Sequence, residues 1–260
     1  MEVVILPGAK EIGAVAADAI TELLHRKPNA VLGLATGSSP LAIYDELAAR
    51  CDAGTVSFRQ ARGFTLDEYV GLPADHPQRY RTVIEDVFVS RVDFPPGAVE
   101  GPDGSAADIP AACAAYESAI QAAGGVDLQI LGIGTDGHIG FNEPGSSLGS
   151  RTRVATLTEQ TRKDNARFFE SVDDVPRHVI TQGLGTIGAA RHLVLIATGT
   201  HKAAAVAAAA EGAVTASCPA SVLQLHPHVT MVVDEAAASR LDNADFYRYA
   251  MRHPPSQRRK

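Results

Sequence analysis

Apolar runs short enough to be strands alternate with amphipathic, helix-length segments along the whole chain. In the first such segment, residues 9–26, apolar side chains recur at the spacing of one helix face: Ile12, Val15, Ala16, Ala19, Ile20 and Leu23. Similar patterns predict helices over residues 41–50, 76–90, 106–123, 158–170 and 200–211. Runs that are apolar on both faces predict strands at residues 3–6, 30–35, 62–66, 126–134, 192–198 and 228–233.

Strands buried on both faces and separated by helices predict an open, mostly parallel sheet with helices on both faces. This is a three-layer, Rossmann-like α/β fold. No internal repeat or flexible linker divides the chain, so we expect a single domain over residues 1–250. Residues 251–260 include two prolines and show no apolar periodicity, which predicts a frayed basic tail. In such a sheet, ligands bind where the loops that follow the strands converge.

Charge and composition exclude several classes of protein. The chain has 260 residues and a formal net charge of −7, so we expect no nucleic-acid partner. No run approaches the roughly 18 apolar residues of a membrane span, and the N-terminus lacks a signal-peptide pattern, so we expect no membrane partner. The cysteines, at positions 51, 113 and 218, are far apart and odd in number. This spacing predicts neither disulfides nor a metal site and favours a cytoplasmic protein.

Two loops of small polar residues follow predicted strands and lead into helices. Residues 36–40 (TGSSP) let the backbone approach a ligand and offer the free N–H groups of a helix start, which predicts a phosphate site. The alternative is an ordinary turn in which Ser38 or Ser39 caps the helix. Residues 198–202 (TGTHK) place Lys202 in a first helical turn, which suits a lysine when an anion lies beside it. The two loops together can hold one phosphate.

Residues 132–137 (GIGTDG) match the G-x-G-x-x-G fingerprint of dinucleotide-binding loops. That fingerprint needs a helix directly after the third glycine, but the residues that follow here disfavour one: Gly140, Pro144, Gly145 and Gly149. We therefore expect no nicotinamide cofactor. The loop instead presents Asp136, His138 and Glu143, and a histidine oriented by carboxylates suits a general base. The alternatives are a solvated loop and a metal site, which lacks a second histidine at a recognisable spacing.

Asp67 and Glu68 follow the third predicted strand. Paired acids at the end of a strand commonly cap the next turn. Asp67 is a candidate for more than capping because it belongs to the same carboxyl edge of the sheet as the two predicted phosphate loops.

Four stretches resemble the glucosamine-6-phosphate deaminase family: LDEYVGL (66–72), GTDGHIGFNEPGSSLGSRTR (134–153), ARFF (166–169) and LQLHPHVTMVVDE (223–235). The resemblance runs in order along nearly the whole chain and includes the TGSSP and GTHK segments. It implies an aldose–ketose isomerisation with loss of ammonia, in which glucosamine 6-phosphate and water become fructose 6-phosphate and ammonia. It implies neither a metal nor an organic cofactor.

The resemblance also implies roles for individual residues. His138 would be the base that opens the sugar ring, while Asp136 and Glu143 hold and tune its imidazole. Asp67 would move a proton between C2 and C1 of the open sugar. Glu68 matches the family motif, and no chemical step is assigned to it. The phosphate would be held by Ser38, Ser39, Arg167 and Lys202.

Allosteric members of this family are hexamers that N-acetylglucosamine 6-phosphate activates through a second basic cluster. Ser146, Arg153 and Thr156 match that cluster, but Ala155 stands where a lysine is expected. Loss of a phosphate-binding cation weakens such a site, so we expect weak or absent activation. The oligomeric state stays open, from monomer to hexamer.

Three alternative functions are weighed against the deaminase. A 6-phosphogluconolactonase of the same fold needs no base at C2, so Asp67 argues against it. A galactosamine-6-phosphate deaminase/isomerase differs by one epimeric hydroxyl, which the sequence does not reveal. A sugar-phosphate sensor has no use for Asp67, Asp136, His138 and Glu143 together, and no segment is left over for the DNA-binding module that such regulators usually carry. The expected partner is therefore a small sugar phosphate.

Overall fold

The computed structural model describes residues 1–253. Its strands are β1 (Glu2–Leu6), β2 (Val31–Leu34), β3 (Arg62–Thr65), β4 (Asp67–Tyr69), β5 (Val99–Glu100), β6 (Leu128–Leu131), β7 (Arg153–Thr156), β8 (His178–Thr181), β9 (His192–Ala197) and β10 (Val229–Asp234). Its helices are α1 (Ala9–Arg26), α2 (Leu41–Asp52), α3 (Tyr80–Val87), α4 (Ile109–Ala122), α5 (Glu159–Asn165), α6 (Leu184–Ile187), α7 (Ala203–Ala210) and α8 (Ala244–Arg252).

Seven strands form one parallel sheet in the order β1-β10-β9-β6-β2-β3-β5. All six strands predicted from the apolar runs are present in it, so the predicted parallel α/β fold is confirmed. The seventh, β5, has only two residues, too few to leave an apolar run in the sequence. Among residues 1–253, no helix is both long and apolar enough to cross a membrane.

A second, three-stranded antiparallel sheet was not predicted. It joins β4, β8 and β7. These strands have three or four residues each, and β7 alternates between half-buried and exposed positions, so none of them forms an extended apolar run. Leu66 connects the two sheets: its N–H donates to the Leu34 carbonyl and its own carbonyl accepts from Gln182 N–H. The chain therefore leaves the parallel sheet at Leu66 and delivers Asp67 into the second one.

Several predicted helices begin or end elsewhere. The segment 158–170 is helical only as far as Asn165 and continues as a 3-10 turn, Ala166–Phe168. The helix predicted from residue 200 begins as another 3-10 turn, Thr200–Lys202. At the C-terminus, α8 includes Met251 and Arg252, the first residues of the predicted frayed tail. Residues 254–260 of that tail lie outside the described residues.

The sheet order places a change of winding direction between β2 and β6. From β2 the chain proceeds outward through β3 to β5, and from β6 it proceeds the other way through β9 to β10, beside β1. The loops after β2 and β6 therefore diverge and leave a crevice at the carboxyl edge, which is where parallel α/β sheets bind ligands. A small core behind this crevice packs the second sheet against the loop after β6; its members are Tyr69, Phe141, Leu157, Val175 and Val179.

Candidate active site

A cavity of about 750 Å³ opens at this edge, within the size range of small-molecule sites. The loops after β2, β3, β6 and β9 line it, together with α3 and parts of residues 161–168. It brings together candidates for the reacting end and for the phosphate end of one sugar: Ser38, Ser39, Asp67, His138, Arg167 and Lys202. Segments that are far apart in the sequence therefore meet at one rim.

At the reacting end, His138 lies between two carboxylates. Its Nδ1 atom is 2.8 Å from Asp136 Oδ1 and 3.5 Å from Glu143 Oε2. His138 Nδ1 and Glu143 Oε2 are buried and make no well-aligned hydrogen bond with the described residues, although both carboxylates lie close to the ring. The backbone N–H of His138 donates to Asp136 Oδ1 at 3.1 Å, which fixes that carboxylate beside the ring.

The carboxylates change the protonation of the imidazole. Burial alone lowers the pKa of His138, but Asp136 and Glu143 outweigh this effect and raise the pKa to about 9. Burial raises the pKa of Asp136, and the contact with His138 more than reverses that rise, so the pKa falls below its ordinary value. The neutral imidazole is consequently a stronger base than a free histidine, although less of it is present at neutral pH.

Asp67 lies in the same cavity and is only 5% exposed. Burial raises the pKa of its carboxyl to about 8; the nearby charge of Glu68 adds to the rise, and His138 opposes it. A carboxyl group with a pKa close to physiological pH can both remove and return a proton, which is the property required of an acid–base catalyst at carbon.

Glu68, to which the sequence assigns no step, anchors one wall of the cavity. Its carboxylate is 2% exposed and accepts three backbone N–H groups, from Tyr69 at 2.9 Å, Tyr80 at 3.0 Å and Arg81 at 3.1 Å. Two of these donors begin α3, and Tyr80 itself lines the cavity. Glu68 thus fixes α3 and places a buried negative charge beside Asp67. The sequence could not reveal this role because the helix begins twelve residues later.

The predicted phosphate residues Ser38, Ser39, Arg167 and Lys202 line the same cavity. The residue before α2 is Pro40, so neither Ser38 nor Ser39 is the N-cap, contrary to the simpler interpretation of this loop. Lys202 ends the 3-10 turn before α7, and burial lowers the pKa of its ammonium group. Arg167 lies in the 3-10 turn after α5, with its guanidinium carbon 4.7 Å from the centre of the Phe168 ring.

The glycines of residues 132–137 make room for the histidine. A Cβ at Gly134 would overlap the His138 ring, whereas a Cβ at Gly132 would meet only Ser39, at 3.6 Å. Gly137 has a φ of +86°, a conformation that L side chains rarely adopt. The loop is therefore shaped around an imidazole, and no regular helix follows it before β7.

This packing predicts different effects for two nearby glycines, Gly132 and Gly134. We expect Gly134→Ala to displace the His138 ring and lower kcat by about 10²-fold, because small displacements of a catalytic group have effects of that size. Gly132→Ala places a methyl group in ordinary contact distance and should retain most activity. Steady-state kinetics of the two variants check this prediction; equal losses in both would mean that the loop acts through its backbone.

The three groups around His138 also have the composition of a cation site. One ligand atom from each of Asp136, His138 and Glu143 lies within 4.8 Å of the others. An imidazole and two carboxylates can hold a divalent cation, and they can equally share a proton. We assign no metal to them because no second histidine stands at a recognisable ligand spacing in the sequence.

Comparison with known proteins identifies the family. Residues 8–232 match the family described as glucosamine-6-phosphate isomerases/6-phosphogluconolactonase. The chain belongs to this family. Glucosamine-6-phosphate deaminases from Mycolicibacterium smegmatis and Streptomyces coelicolor are 70% and 61% identical to it, over 98% of each chain.

Solved structures of the glucosamine-6-phosphate isomerase/6-phosphogluconolactonase family support the fold. A monomeric glucosamine-6-phosphate deaminase superimposes with a TM-score of 0.90 at 42% identity, over 92% of this chain and 100% of that chain. A 6-phosphogluconolactonase from Trypanosoma cruzi reaches a TM-score of 0.73 at 23% identity, over 93% and 97%, which indicates a common fold alone.

In this family member, the residues expected at an activator site are only partly together. Arg153 donates from Nη1 to Asn142 Oδ1 at 2.8 Å and from Nη2 to Ser146 Oγ at 3.1 Å. Thr156 lies on the opposite, exposed face of β7, with its Oγ1 3.4 Å from His178 Nδ1. Arg153 therefore supports the loop between His138 and Glu143, and Thr156 does not join it.

Proposed function

We propose that this protein converts glucosamine 6-phosphate and water into fructose 6-phosphate and ammonia, in amino-sugar catabolism. The observation that carries the proposal is the shared cavity, which is lined by Asp67, His138 and the phosphate candidates, with Asp136 and Glu143 beside the His138 ring. Relatives of 60–70% identity that are named glucosamine-6-phosphate deaminase support the same activity.

Ring opening is assigned to His138. The neutral imidazole takes the proton of the O1 hydroxyl while the C1–O5 bond breaks, and the imidazolium returns a proton to O5. Asp136 and Glu143 stabilise the imidazolium between these two transfers, because their charges lie close to Nδ1. A group that accepts and then returns a proton needs such stabilisation of its charged form.

Isomerisation is assigned to Asp67. Its carboxylate removes the C2 proton of the open aldehyde, the electron pair forms a C1=C2 bond, and the C1 carbonyl oxygen gains a proton. Return of the proton to C1 leaves an imine at C2. Water adds to the imine carbon and ammonia leaves, which gives the ketone. A positioned carboxylate is required because water is too weak a base for a C–H proton at neutral pH.

The phosphate group orients the sugar. Ser38 and Ser39 supply hydroxyl groups beside the start of α2, Lys202 supplies a charge, and Arg167 can engage two phosphate oxygens at once. Since the phosphate takes no part in the chemistry, its binding energy can be used to hold C1 and C2 against the catalytic groups.

Ammonia-release assays with glucosamine 6-phosphate and galactosamine 6-phosphate, beside an acid-release assay with 6-phosphogluconolactone, test the proposal. We expect ammonia release from glucosamine 6-phosphate and no hydrolysis of the lactone above its spontaneous rate. Preference for the galactosamine epimer would change the substrate, and lactone hydrolysis without ammonia release would replace the proposed function.

We predict that a chelator does not change the rate. A proton shared among Asp136, His138 and Glu143 suffices for ring opening, so removal of divalent cations should leave kcat within experimental error. The measurement is ammonia release after dialysis against EDTA, with a matched sample to which zinc is added back. Loss of activity that zinc restores would make the cluster a metal site.

We also predict weak or absent activation by N-acetylglucosamine 6-phosphate. Ala155 stands where a lysine is expected, and Arg153 is already engaged by Asn142 and Ser146. Rate curves at subsaturating substrate, with and without this ligand, should superimpose; a large shift in apparent affinity would contradict the prediction. Any assembly between monomer and hexamer is compatible with the proposal.

A cytoplasmic location completes the proposal. The three cysteines are free, as expected for thiols in a reducing compartment. Cell fractionation with an antibody to the protein tests the location directly.

A further inference from the structure

Glu143 contacts two parts of the molecule with its two oxygens. Oε2 lies 3.5 Å from His138 Nδ1. Oε1 accepts a hydrogen bond from Thr161 Oγ1 at 2.6 Å and another from the backbone N–H of Thr158 at 3.2 Å. Both donors belong to the beginning of α5, so a single carboxylate joins the catalytic imidazole to this helix.

The hydroxyl groups at the beginning of α5 form a chain that ends on the carboxylate. Thr158 Oγ1 donates to Thr161 Oγ1 at 3.0 Å, and it also accepts the backbone N–H of Thr161 at 3.1 Å. Thr161 is 5% exposed, and its single hydroxyl proton is directed at Glu143. A short hydrogen bond to an ionised group is the strong kind, and a preceding donor strengthens it further.

The same segment also lines the cavity and carries Arg167, a predicted phosphate residue. After α5, Arg167 and Phe168 line the cavity, and Asn165 Nδ2 donates to the Tyr69 hydroxyl at 3.1 Å. The segment is thus attached at its start to Glu143 and at its end to Tyr69, two residues from Asp67. Arg167 lies just beyond the second attachment, so the position of α5 is common to the phosphate site and the imidazole.

We propose that Thr161 is a positioning residue, whose hydroxyl holds Glu143 against His138 and so ties the imidazole to the segment that carries Arg167. The expected effect on catalysis rests on the proposed function, but the contact between Thr161 and Glu143 can be tested independently of it. Glu143 without this donor has only the Thr158 N–H on Oε1 and can turn away from the ring. The imidazole would then keep Asp136 as its close carboxylate, with Asp67 as the other charged group that influences it.

The test compares Thr161→Val, which keeps the shape and removes the hydroxyl, with Thr161→Ser, which restores it. Thr186→Val is the matched control, because Thr186 is also a buried threonine whose hydroxyl donates to a carboxylate, that of the half-buried Glu117, away from His138. Two readouts are needed: kcat and KM for ammonia release, and the titration of the His138 imidazole by NMR, with its resonance identified from a His138→Gln spectrum.

We expect Thr161→Val to lower kcat about tenfold or more with little change in KM, and to move the His138 titration to lower pH. Thr161→Ser should recover both, and Thr186→Val should change neither. The inference is overturned if the His138 titration in Thr161→Val superimposes on that of the wild type. A shift of this titration to higher pH also overturns it, because the hydroxyl would then only weaken the effect of the Glu143 charge on His138. If Thr161→Val fails to fold, Thr161→Ser is used alone. A His138 titration in Thr161→Ser that matches the wild-type titration supports the contact, and a different titration opposes it.

Failure of the proposed function is distinguishable from failure of this inference. If the wild-type protein releases no ammonia, the proposed function falls, whereas the NMR titration still reports whether Thr161 controls the surroundings of His138. If ammonia is released and the titration is unaffected by the hydroxyl, only the role of Thr161 is lost.

Discussion

Asp67→Asn should lower kcat for ammonia release by about 10³–10⁴-fold while sugar-phosphate binding stays largely intact. The amide keeps the size of the carboxyl group but cannot take the C2 proton, and general bases contribute on this scale. Calorimetric titration with fructose 6-phosphate measures binding, and ammonia release measures turnover. Asp164→Asn is the control, since Asp164 lines the same cavity and its carboxylate accepts a hydrogen bond from Gln160; we expect less than a tenfold loss there.

The effect of Asp67→Asn on stability should depend on pH, because burial raises the pKa of the Asp67 carboxyl. Asp67 keeps its proton in the folded protein up to about pH 8 but loses it near pH 4 when unfolded, so the folded state binds more protons between these values. The contribution of Asp67 to stability therefore falls as the pH rises through this window. Asp67→Asn removes the dependence and should raise Tm by about 2–8 °C at pH 8.5, with a smaller gain at pH 5.

The ionisation of Asp67 should also appear in the pH dependence of the wild-type rate. Because Asp67 must be ionised and His138 must be neutral to act as bases, kcat/KM should rise with pH through about 8 and level off only above about 9. Unchanged ammonia release in Asp67→Asn would remove the residue from its assigned role. A Tm that falls at pH 8.5 would instead show that the buried charge is better compensated than its burial indicates.

His138→Gln should lower kcat/KM by about 10²–10³-fold. The amide can form hydrogen bonds but cannot carry a proton from O1 to O5, so the variant depends on the small fraction of sugar that opens spontaneously. Its residual rate should therefore exceed that of Asp67→Asn, because Asp67→Asn cannot process even the sugar that has already opened. Ammonia release at saturating and subsaturating substrate separates the two variants.

A second histidine of the cavity provides the control for this prediction. His201 lines the same cavity, but the two carboxylates around His138 belong to the loop after β6. His201→Gln should therefore retain activity within about tenfold of the wild type. An equal loss of activity in His138→Gln and His201→Gln would mean that the two carboxylates do not give His138 a distinct role. Ring opening would then need another base.

Local patterns predicted many residues of the candidate site. Residues 132–137 match a nucleotide-binding fingerprint, but the helix-disfavouring residues after Gly137 argued against that function, and the structure places Gly134 against the His138 ring. The phosphate loops also follow from local signals, because small residues at the start of a helix are recognisable in sequence. The opposite faces taken by Arg153 and Thr156 were not predicted, because polar and apolar residues do not alternate in the sequence RVAT of β7 and so do not mark it as a strand.

The sequence by itself determined the parallel sheet, its six main strands and the polar residues that follow them, because runs of buried residues and turn signals act over a few positions. Only the tertiary structure decided which of those residues are partners. Glu68 binds the start of a helix twelve residues away, Glu143 binds Thr161, and Asp67 and His138 acquire raised pKa values from burial and neighbouring charge. These properties depend on distances between segments that only folding brings together, and they distinguish a reactive site from a polar loop.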